Sequence, residues 1–262
     1  MLEIPTNNFL SKITDTITSL LSSVIFYTAI PLPNRWTSNW SRVARWCPVV
    51  GLFIGLLLFG LVTLFELFQL PNLTSKALVV AAWVAITGGL HLDGVMDTAD
   101  GLSVTDAERR LEVMKDSATG AFGAIAGIIV LLLKTVTLSE MSLPLWLVLL
   151  SATGWGRWGQ VCSIAFYPYL RATGKGSFHK DNLRPPQDIL LGAIFLLGLS
   201  GIWFTVSYLS WWQVCIITIG NMAIALLTGY WFKRQLGGHT GDTYGAVVEW
   251  SEVFILCFLT AF

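Results

Sequence analysis

The sequence predicts an all-α protein whose helices cross a membrane several times. Of its 262 residues, 54% are hydrophobic and only 12% are charged, whereas about a quarter of the residues in an average soluble domain are charged. Apolar stretches close to the roughly 20 residues that a helix needs to cross a bilayer recur along the chain. We therefore expect a polytopic helical membrane protein with about seven transmembrane helices, a short N-terminal apolar helix, and one integral-membrane catalytic domain over residues 1–262.

The helices are predicted in order along the chain. The first apolar segment, residues 20–30, is short and ends before Pro31 and Pro33, so an interfacial helix, a re-entrant segment and an additional span all fit it. Two short turns and a brief junction are expected on one side of the membrane, and longer polar connections on the other. The transmembrane spans are predicted at residues 47–70, 77–91, 120–138, 145–167, 188–209, 211–232 and 246–262.

The connections between these spans alternate in their content of Lys and Arg. Three, three, four and two such residues lie in the connections 34–46, 103–117, 169–187 and 233–245. The opposite set, at 71–76, 139–144 and 209–211, holds one in total. The positive-inside rule then places the polar connections in the cytoplasm, which predicts a cell (inner) membrane protein with a site that faces the cytoplasm. A net charge of zero without a basic domain argues against a nucleic acid partner.

The acidic stretch 88–101 follows directly on an apolar run. Asp93, Asp97 and Asp100 are spaced i, i+4 and i+7, which places three carboxylates on one face of a helix, and Gly101 stands where that helix would end. Clustered carboxylates repel one another in a low-dielectric setting. Mg²⁺, held through a few carboxylates and substrate phosphates, is the expected partner. The alternative is a solvated helix end whose acids have no chemical role.

A second candidate element is the glycine-rich stretch 237–245. Closely spaced glycines let backbone N–H groups approach an anion such as phosphate, so Gly238, Thr240 and Gly241 are candidate substrate contacts. Asp242 and Glu249 add two carboxylates at a membrane border, where uncompensated charge is costly. With the three aspartates of the acidic stretch, they could complete a site for one or two metal ions. Taken alone, the stretch is equally compatible with an ordinary loop.

Basic residues follow the acidic stretch. Arg110 and Lys115 are candidates for holding a phosphate or neutralising a leaving nucleotide. A charged surface helix with a topogenic role explains them equally well. For Arg171 and the other basic residues of the connection 169–187, the topological explanation is favoured.

Two residues at or inside the predicted spans carry polar side chains of special interest. Arg157 lies in the middle of the span 145–167, where a charge is by default functional or paired, and a buried ion pair with one of the acids is the competing explanation. His91, beside Asp93, is a candidate general base or metal ligand, although a histidine at the end of an apolar helix is more often simply hydrogen-bonded.

These residues together predict Mg²⁺-assisted phosphoryl transfer on a cytoplasmic substrate by a membrane enzyme, with catalysis by positioning and charge neutralisation. A lipid-making CDP-alcohol phosphotransferase is one alternative, but its usual signature carries Ala-Arg two residues beyond the Asp-Gly of the motif, and here Asp93-Gly94 is followed by Val95-Met96-Asp97-Thr98. A prenyltransferase fails similarly on the flanking residues. A solute or ion transporter is a further alternative, which would place acids near mid-membrane on broken helices.

Four sequence blocks resemble the cobalamin synthase family of adenosylcobinamide-GDP ribazoletransferases. Their order and spread, together with the length and hydrophobic profile, make the match specific over most of the chain. Two departures are visible: Ala118 stands where a basic residue is expected, and His239 where an aliphatic one is expected. The blocks are GLHLDGxxDTADG at 89–101, RLEVMKDS at 110–117, GAFG at 120–123 and GGxTGDxxGA at 237–246.

The resemblance implies an Mg²⁺-dependent membrane enzyme that joins adenosylcobinamide-GDP to α-ribazole, or to α-ribazole 5′-phosphate, and releases GMP. It implies that His91 or one of the aspartates, Asp93 or Asp97, accepts the proton of the attacking ribose hydroxyl. Arg110 and Lys115 would then steady phosphate charge. The implied metal ligands are Asp93, Asp97, Asp100 and Asp242, with Glu249 as a further one. The lipid bilayer and other cobalamin-assembly enzymes are the expected partners beyond the substrates.

Overall fold

The computed structural model describes residues 7–171 and 175–262, and these residues form eleven α-helices without a β-strand. One isolated bridge pairs Tyr169 with His239. The prediction of an all-α fold is therefore confirmed. The helices are α1 Asn7–Tyr27, α2 Cys47–Leu67, α3 Asn72–Ile86, α4 Leu90–Ser103, α5 Ala107–Val113, α6 Ala121–Ser139, α7 Leu145–Phe166, α8 Lys175–Asn182, α9 Gln187–Val206, α10 Trp211–Leu236 and α11 Gly241–Leu259.

Helix α7 is the centre of the bundle. It packs against α2, α9, α10 and α11, and every residue from Leu147 to Ile164 is buried. Because its whole circumference contacts protein rather than lipid, α7 can carry polar side chains that a lipid-facing helix could not. Helix α4, which bears the acidic stretch, packs on α11 and α6 at the side of this core.

Four helical segments within the described residues are long and apolar enough to cross a membrane: Val43–Leu67, Ala121–Ser139, Gln187–Val206 and Trp211–Leu236. A fifth span exists if α3 and α4, which meet at 88°, count as one broken span. This supports a multi-pass membrane protein, while the number seven stays a prediction. Helices α7 and α11, of 22 and 19 residues, have the length of a span but carry buried charges.

Several predicted boundaries were wrong. The span predicted at 77–91 ends at Ile86, because Gly88 and Gly89 adopt positive φ angles of 65° and 70°, a conformation that turns the chain and that side chains disfavour. The acidic helix continues past Gly101 to Ser103. The polar connections 103–117 and 169–187 contain the helices α5 and α8.

The ends of two further predicted elements also moved. Helix α10 extends to Leu236 and α11 begins at Gly241, so the glycine-rich stretch is mostly the first turns of α11 rather than a loop. The undecided segment 20–30 falls largely in the second half of α1, and α1 is not among the helices apolar enough to span a membrane.

Four charged side chains form a buried network between α6, α7 and α11. The Nζ atom of Lys134 lies 2.6 Å from Oε2 of Glu249 and 2.5 Å from Oε2 of Glu252. The Nη1 atom of Arg157 lies 2.6 Å from Oε1 of Glu252. Two cations thus balance two carboxylates, and the Lys134 ammonium also lies 4.1 Å from the centroid of the Trp83 ring. The ion-pair explanation predicted for Arg157 is confirmed.

Candidate functional site

The two acidic elements of the sequence meet where α4 packs on α11. Gly94 faces the backbone of Asp242 so closely that a Cβ atom at position 94 would overlap the Asp242 carbonyl group. Only a glycine allows this approach. The contact brings the α4 aspartates and the start of α11 together, as the sequence predicted for Asp93, Asp97 and Asp242. Asp97 interacts electrostatically with both of the other two.

Arg171 completes this cluster from the connection before α8. Its Nη2 atom donates a hydrogen bond of 2.7 Å to Oδ2 of Asp242 and a longer one, 3.3 Å, to the carbonyl oxygen of Met114. The pair is about one-fifth exposed on each side. A guanidinium beside several carboxylates, open to solvent, can hold a phosphate group.

Asp100 has a different set of partners from the other α4 aspartates. Its two carboxylate oxygens accept hydrogen bonds from the backbone N–H groups of Gly120, at 2.7 Å, and Gly123, at 2.8 Å. These donors belong to the N-terminus of α6, whose first N–H groups have no partner within the helix. Asp100 therefore links α4 to α6, and the positive end of the α6 dipole stabilises its negative charge.

Glu249, the other predicted ligand on α11, is not brought to the aspartates. Its side chain is 2% exposed and pairs with Lys134 in the buried network. A charge such as Lys134 inside the predicted span 120–138 signals that it has a partner, but local sequence does not identify that partner as Glu249, because only the packing of α6 on α11 brings the two together.

The predicted phosphate contacts on α5 are only partly available. Arg110 donates from Nε to the carbonyl oxygen of Val104, at 3.0 Å, and from Nη1 to that of Gln235, at 2.9 Å. It thus fastens α5 to the end of α10. Lys115 is exposed beyond the end of α5, where its ammonium group is free to reach a ligand.

The glycine-rich stretch builds the start of α11. Gly238 packs against Pro168, whose carbonyl oxygen accepts a 2.9 Å hydrogen bond from the His239 N–H group. Thr240 is the N-cap of α11: its Oγ1 accepts from the Thr243 N–H group, at 3.3 Å. Gly241 is exposed and lines the cavity described next.

A cavity of about 290 Å³ opens beside the acidic cluster. Asp93, Arg171 and Asp242 stand at its accessible side, and His91 lies in its wall with only 7% of its surface exposed. Within the part of the chain that the structure describes, Nδ1 of His91 has no hydrogen-bond partner. Because buried polar atoms are nearly always hydrogen-bonded, this unpaired nitrogen is a candidate contact for a ligand in the cavity.

The fit of a metal ion depends on which oxygens are free. Across the described ranges 7–171 and 175–262, no three carboxylate, imidazole or thiol groups converge tightly enough to enclose an ion by themselves. Mg²⁺ commonly uses one or two carboxylates and completes its shell with water and substrate phosphate. The carboxylates of Asp93 and Asp242, which line the open cavity, and of Asp97, which interacts with both, suit that mode because they are hard oxygen donors.

Sequence reasoning gave too little weight to three residues of this region. Arg171 was assigned a topological role, although it forms the ion pair with Asp242. Tyr244 and His179 line the cavity, and neither belongs to a pattern with an obvious chemical meaning. The only sequence signal for these two residues was that Tyr244 stands inside the glycine-rich block. Tyr169 also lines the cavity, and burial raises its pKa.

The comparisons with known proteins agree with one another. The chain matches the family described as Cobalamin-5-phosphate synthase over residues 19–260. It is 54% identical to the adenosylcobinamide-GDP ribazoletransferase of Trichormus variabilis, over 92% of this chain and 96% of that protein. Proteins of the same name from Synechocystis and Brevibacillus brevis are 49% and 37% identical, over 91% and 92% of this chain and 92% and 97% of theirs. No solved structure matches the chain.

Proposed function

Because the chain belongs to the Cobalamin-5-phosphate synthase family, we propose that it joins adenosylcobinamide-GDP to α-ribazole, or to α-ribazole 5′-phosphate, and releases GMP. Membership of this family makes the chain a transferase of cobalamin synthesis. In the proposed reaction a ribose hydroxyl oxygen bonds to the phosphorus that carries cobinamide. The bond from that phosphorus to the GMP oxygen breaks, GMP leaves with the electron pair, and the hydroxyl proton passes to a base.

The observation that carries this proposal is the position of the Arg171–Asp242 pair against the α4 aspartates at an open cavity. A diphosphate is strongly anionic, so its binding requires cations. Arg171 supplies one, and Mg²⁺ held by Asp93, Asp97 and Asp242 would supply another, neutralising charge on the diphosphate and on the departing GMP. Lys115, which follows the Arg171-bound Met114 in sequence, would add a further positive charge. Asp100 and Glu249 support the site indirectly, since other groups occupy their carboxylates.

His91 is the proposed acceptor of the hydroxyl proton. It lies in the same cavity wall as Asp93, and its Nδ1 atom has no partner among the described residues. A base must come within hydrogen-bond reach of the proton that it removes, so the proposed reaction requires the attacking hydroxyl to approach His91 from the cavity that this residue lines. Asp93 is the alternative acceptor if it is not engaged with the metal.

The bilayer is part of the proposal as well. The basic connection 169–187 lines the cavity with Arg171 and His179, and Arg171 donates to Met114 in the basic connection 103–117. The positive-inside rule therefore supports a cytoplasmic site in the inner membrane. Because the large, polar substrates do not themselves require a bilayer, we propose that the membrane anchors the enzyme next to other cobalamin-assembly enzymes.

The direct test is a GMP-release assay on the purified protein in detergent, with adenosylcobinamide-GDP and α-ribazole 5′-phosphate, in Mg²⁺ or in EDTA. We expect GMP and a corrinoid product in Mg²⁺, none in EDTA, and a loss of at least about a hundredfold in Asp93→Asn. Asp181→Asn, which changes an exposed carboxylate on α8, is the matched control and should keep wild-type activity. Folded wild-type protein that released no GMP with any divalent ion would overturn the proposal and direct attention to lipid-nucleotide substrates or transport.

A further inference from the structure

The buried part of the cavity is lined by aromatic rings from four elements. Tyr169 and Tyr244 stack with centroids 6.0 Å apart and an interplanar angle of 26°. Phe26, at the end of α1, meets the His179 ring edge-on at 4.4 Å. All four rings line the same cavity as the acidic cluster. Aromatic walls of this kind suit a flat aromatic ligand, because both partners gain from stacking and edge contacts.

Several residues that line this cavity carry polar atoms without partners in the described part of the chain, among them His179 and Tyr244. Among residues 7–171 and 175–262, neither Nε2 of His179 nor the hydroxyl oxygen of Tyr244 has a hydrogen-bond partner. His179 is 4% exposed and Tyr244 is 2% exposed. Buried polar groups are nearly always hydrogen-bonded, and an unpaired one destabilises the protein. A ligand with one polar atom on its edge would give at least one of these two atoms a partner that the folded chain itself does not supply.

The buried part of the cavity is also uncharged. Burial lowers the pKa of His179 to about 4, so its imidazole is neutral at pH 7. The charged groups of the cavity, Asp93, Arg171 and Asp242, are exposed or part-exposed. A ligand that fills this space would thus place a neutral ring inside and a sugar or phosphate toward the acids and the arginine.

The size of the cavity and the polar atoms on the edge of each base distinguish guanine from the base of the ribazole acceptor as its ligand. A cavity of about 290 Å³ lies at the small end of ligand pockets, so it can hold one nucleoside but no corrinoid. Guanine would present several N–H donors, which need acceptors such as carboxylates. The buried amide here, Gln160, already accepts from the Cys47 thiol through Oε1, at 2.8 Å. A benzimidazole nucleoside has one free ring nitrogen and otherwise apolar edges, and one hydroxyl donor satisfies it.

We infer that the buried, aromatic part of the cavity, formed by Phe26, Tyr169, His179 and Tyr244, binds the base of the ribazole acceptor. The inference rests on the proposed function and adds a specificity site to it. The Tyr244 hydroxyl donates to the ring nitrogen of the base, and the ribose points toward His91 and Asp93. The base of the acceptor is then recognised inside the protein, while the diphosphate of the donor is held at the acidic cluster.

The test uses two variants that keep ring stacking but remove the polar atoms, Tyr244→Phe and His179→Phe. The KM for each substrate is measured in the GMP-release assay, and the binding of α-ribazole alone is measured by thermal shift without the donor. We expect Tyr244→Phe to raise the KM for α-ribazole about tenfold, as for one lost hydrogen bond, and to shrink its thermal shift, whereas His179→Phe should change both less because it removes no hydrogen bond to the base. The KM for adenosylcobinamide-GDP should stay within twofold. Tyr208→Phe, at a fully exposed tyrosine, is the control.

Three outcomes would contradict the inference in different ways. Unchanged KM values for α-ribazole in both variants, with normal GMP release, would reject the base site and leave the proposed function intact. A selective rise in the KM for adenosylcobinamide-GDP would assign the cavity to guanine instead. A wild-type protein that neither releases GMP nor binds α-ribazole would reject the function and the base site together, whereas binding without GMP release would reject the function alone.

Discussion

Arg171 and Asp242 are 71 residues apart in sequence and form a 2.7 Å ion pair at the accessible side of the cavity. The pair joins the connection before α8 to the first turn of α11. Because α11 is also in contact with α4 at Gly94, the same two residues link the polar connection to the acidic helix. The arginine is thereby fixed beside the carboxylates, where it would contact a phosphate of the proposed substrate.

The first prediction concerns the charge of Arg171. We expect Arg171→Gln to lower kcat/KM for GMP release by on the order of tenfold to a hundredfold, because diphosphate charge loses its fixed protein counter-ion. Arg171→Lys should recover part of the loss, since it keeps the charge without the planar fork of donors. Arg109→Gln, which removes an exposed charge on α5, serves as the control. Equal activity in Arg171→Gln and the control would remove Arg171 from the site.

Much of this arrangement could be predicted from local sequence. Periodicity and apolar length identified the helical class, and the i, i+4, i+7 spacing placed Asp93 and Asp97 on one helical face, since both depend on a single element. The partners of Glu249 and Arg171 could not be predicted, because Lys134 and Asp242 lie on other helices and only packing brings them together. Local spacing carries no information on such long-range pairs.

The same limit applies to Asp100. Its position on the acidic face suggested a metal ligand, whereas the structure gives its two oxygens the N–H groups of Gly120 and Gly123. The separate blocks DTADG and GAFG in the sequence are therefore two halves of one contact. The sequence showed a block with glycines at the start of a helix, but it did not show that the Asp100 carboxylate accepts hydrogen bonds from this block.

The second prediction tests that contact. A Cβ atom at position 120 or 123 would overlap the Asp100 carboxylate, so Gly120→Ala and Gly123→Ala should each separate α4 from α6. We expect each to lower the free energy of unfolding by about 1–3 kcal/mol, the cost of a buried polar group without its partner, and to reduce activity. Thermal unfolding in detergent measures the effect. Gly198→Ala is the control, since nothing lies near its Cβ position on α9 and alanine favours a helix.

The third prediction separates a structural from a metal-binding role for Glu249. Lys134→Met leaves two buried carboxylates with one cation, so we expect a loss of about 3–5 kcal/mol in unfolding free energy. The double variant Lys134→Met/Glu249→Gln should recover part of that loss by restoring the charge balance. Glu249→Gln alone should lower the Tm and leave the Mg²⁺ concentration for half-maximal activity unchanged. A large shift in that Mg²⁺ concentration at an unchanged Tm would instead make Glu249 a metal ligand.

The fourth prediction follows from His239, which lies between α10 and α11. Its ring stacks on Tyr167 and Tyr244, with centroids 5.4 Å and 5.3 Å away, and Nε2 lies 3.1 Å from the Gly229 carbonyl oxygen. Burial lowers its pKa to about 4, well below the usual value near 6.5. Between these two values the unfolded chain binds more protons than the folded protein does. Its contribution to stability is therefore complete above about pH 6.5 and is lost as the pH falls toward 4.

We therefore expect the Tm of the wild-type protein to fall between pH 7 and pH 5, and His239→Gln to flatten the fall. The largest slope from one such group is about 1.4 kcal/mol per pH unit. His179, whose pKa is also lowered to about 4 by burial, contributes in the same direction, so part of the slope remains in the variant. Tyr208→Phe should reproduce the wild-type curve. Parallel curves for the wild type and His239→Gln would mean that His239 takes up its proton as readily in the folded protein as in the unfolded chain.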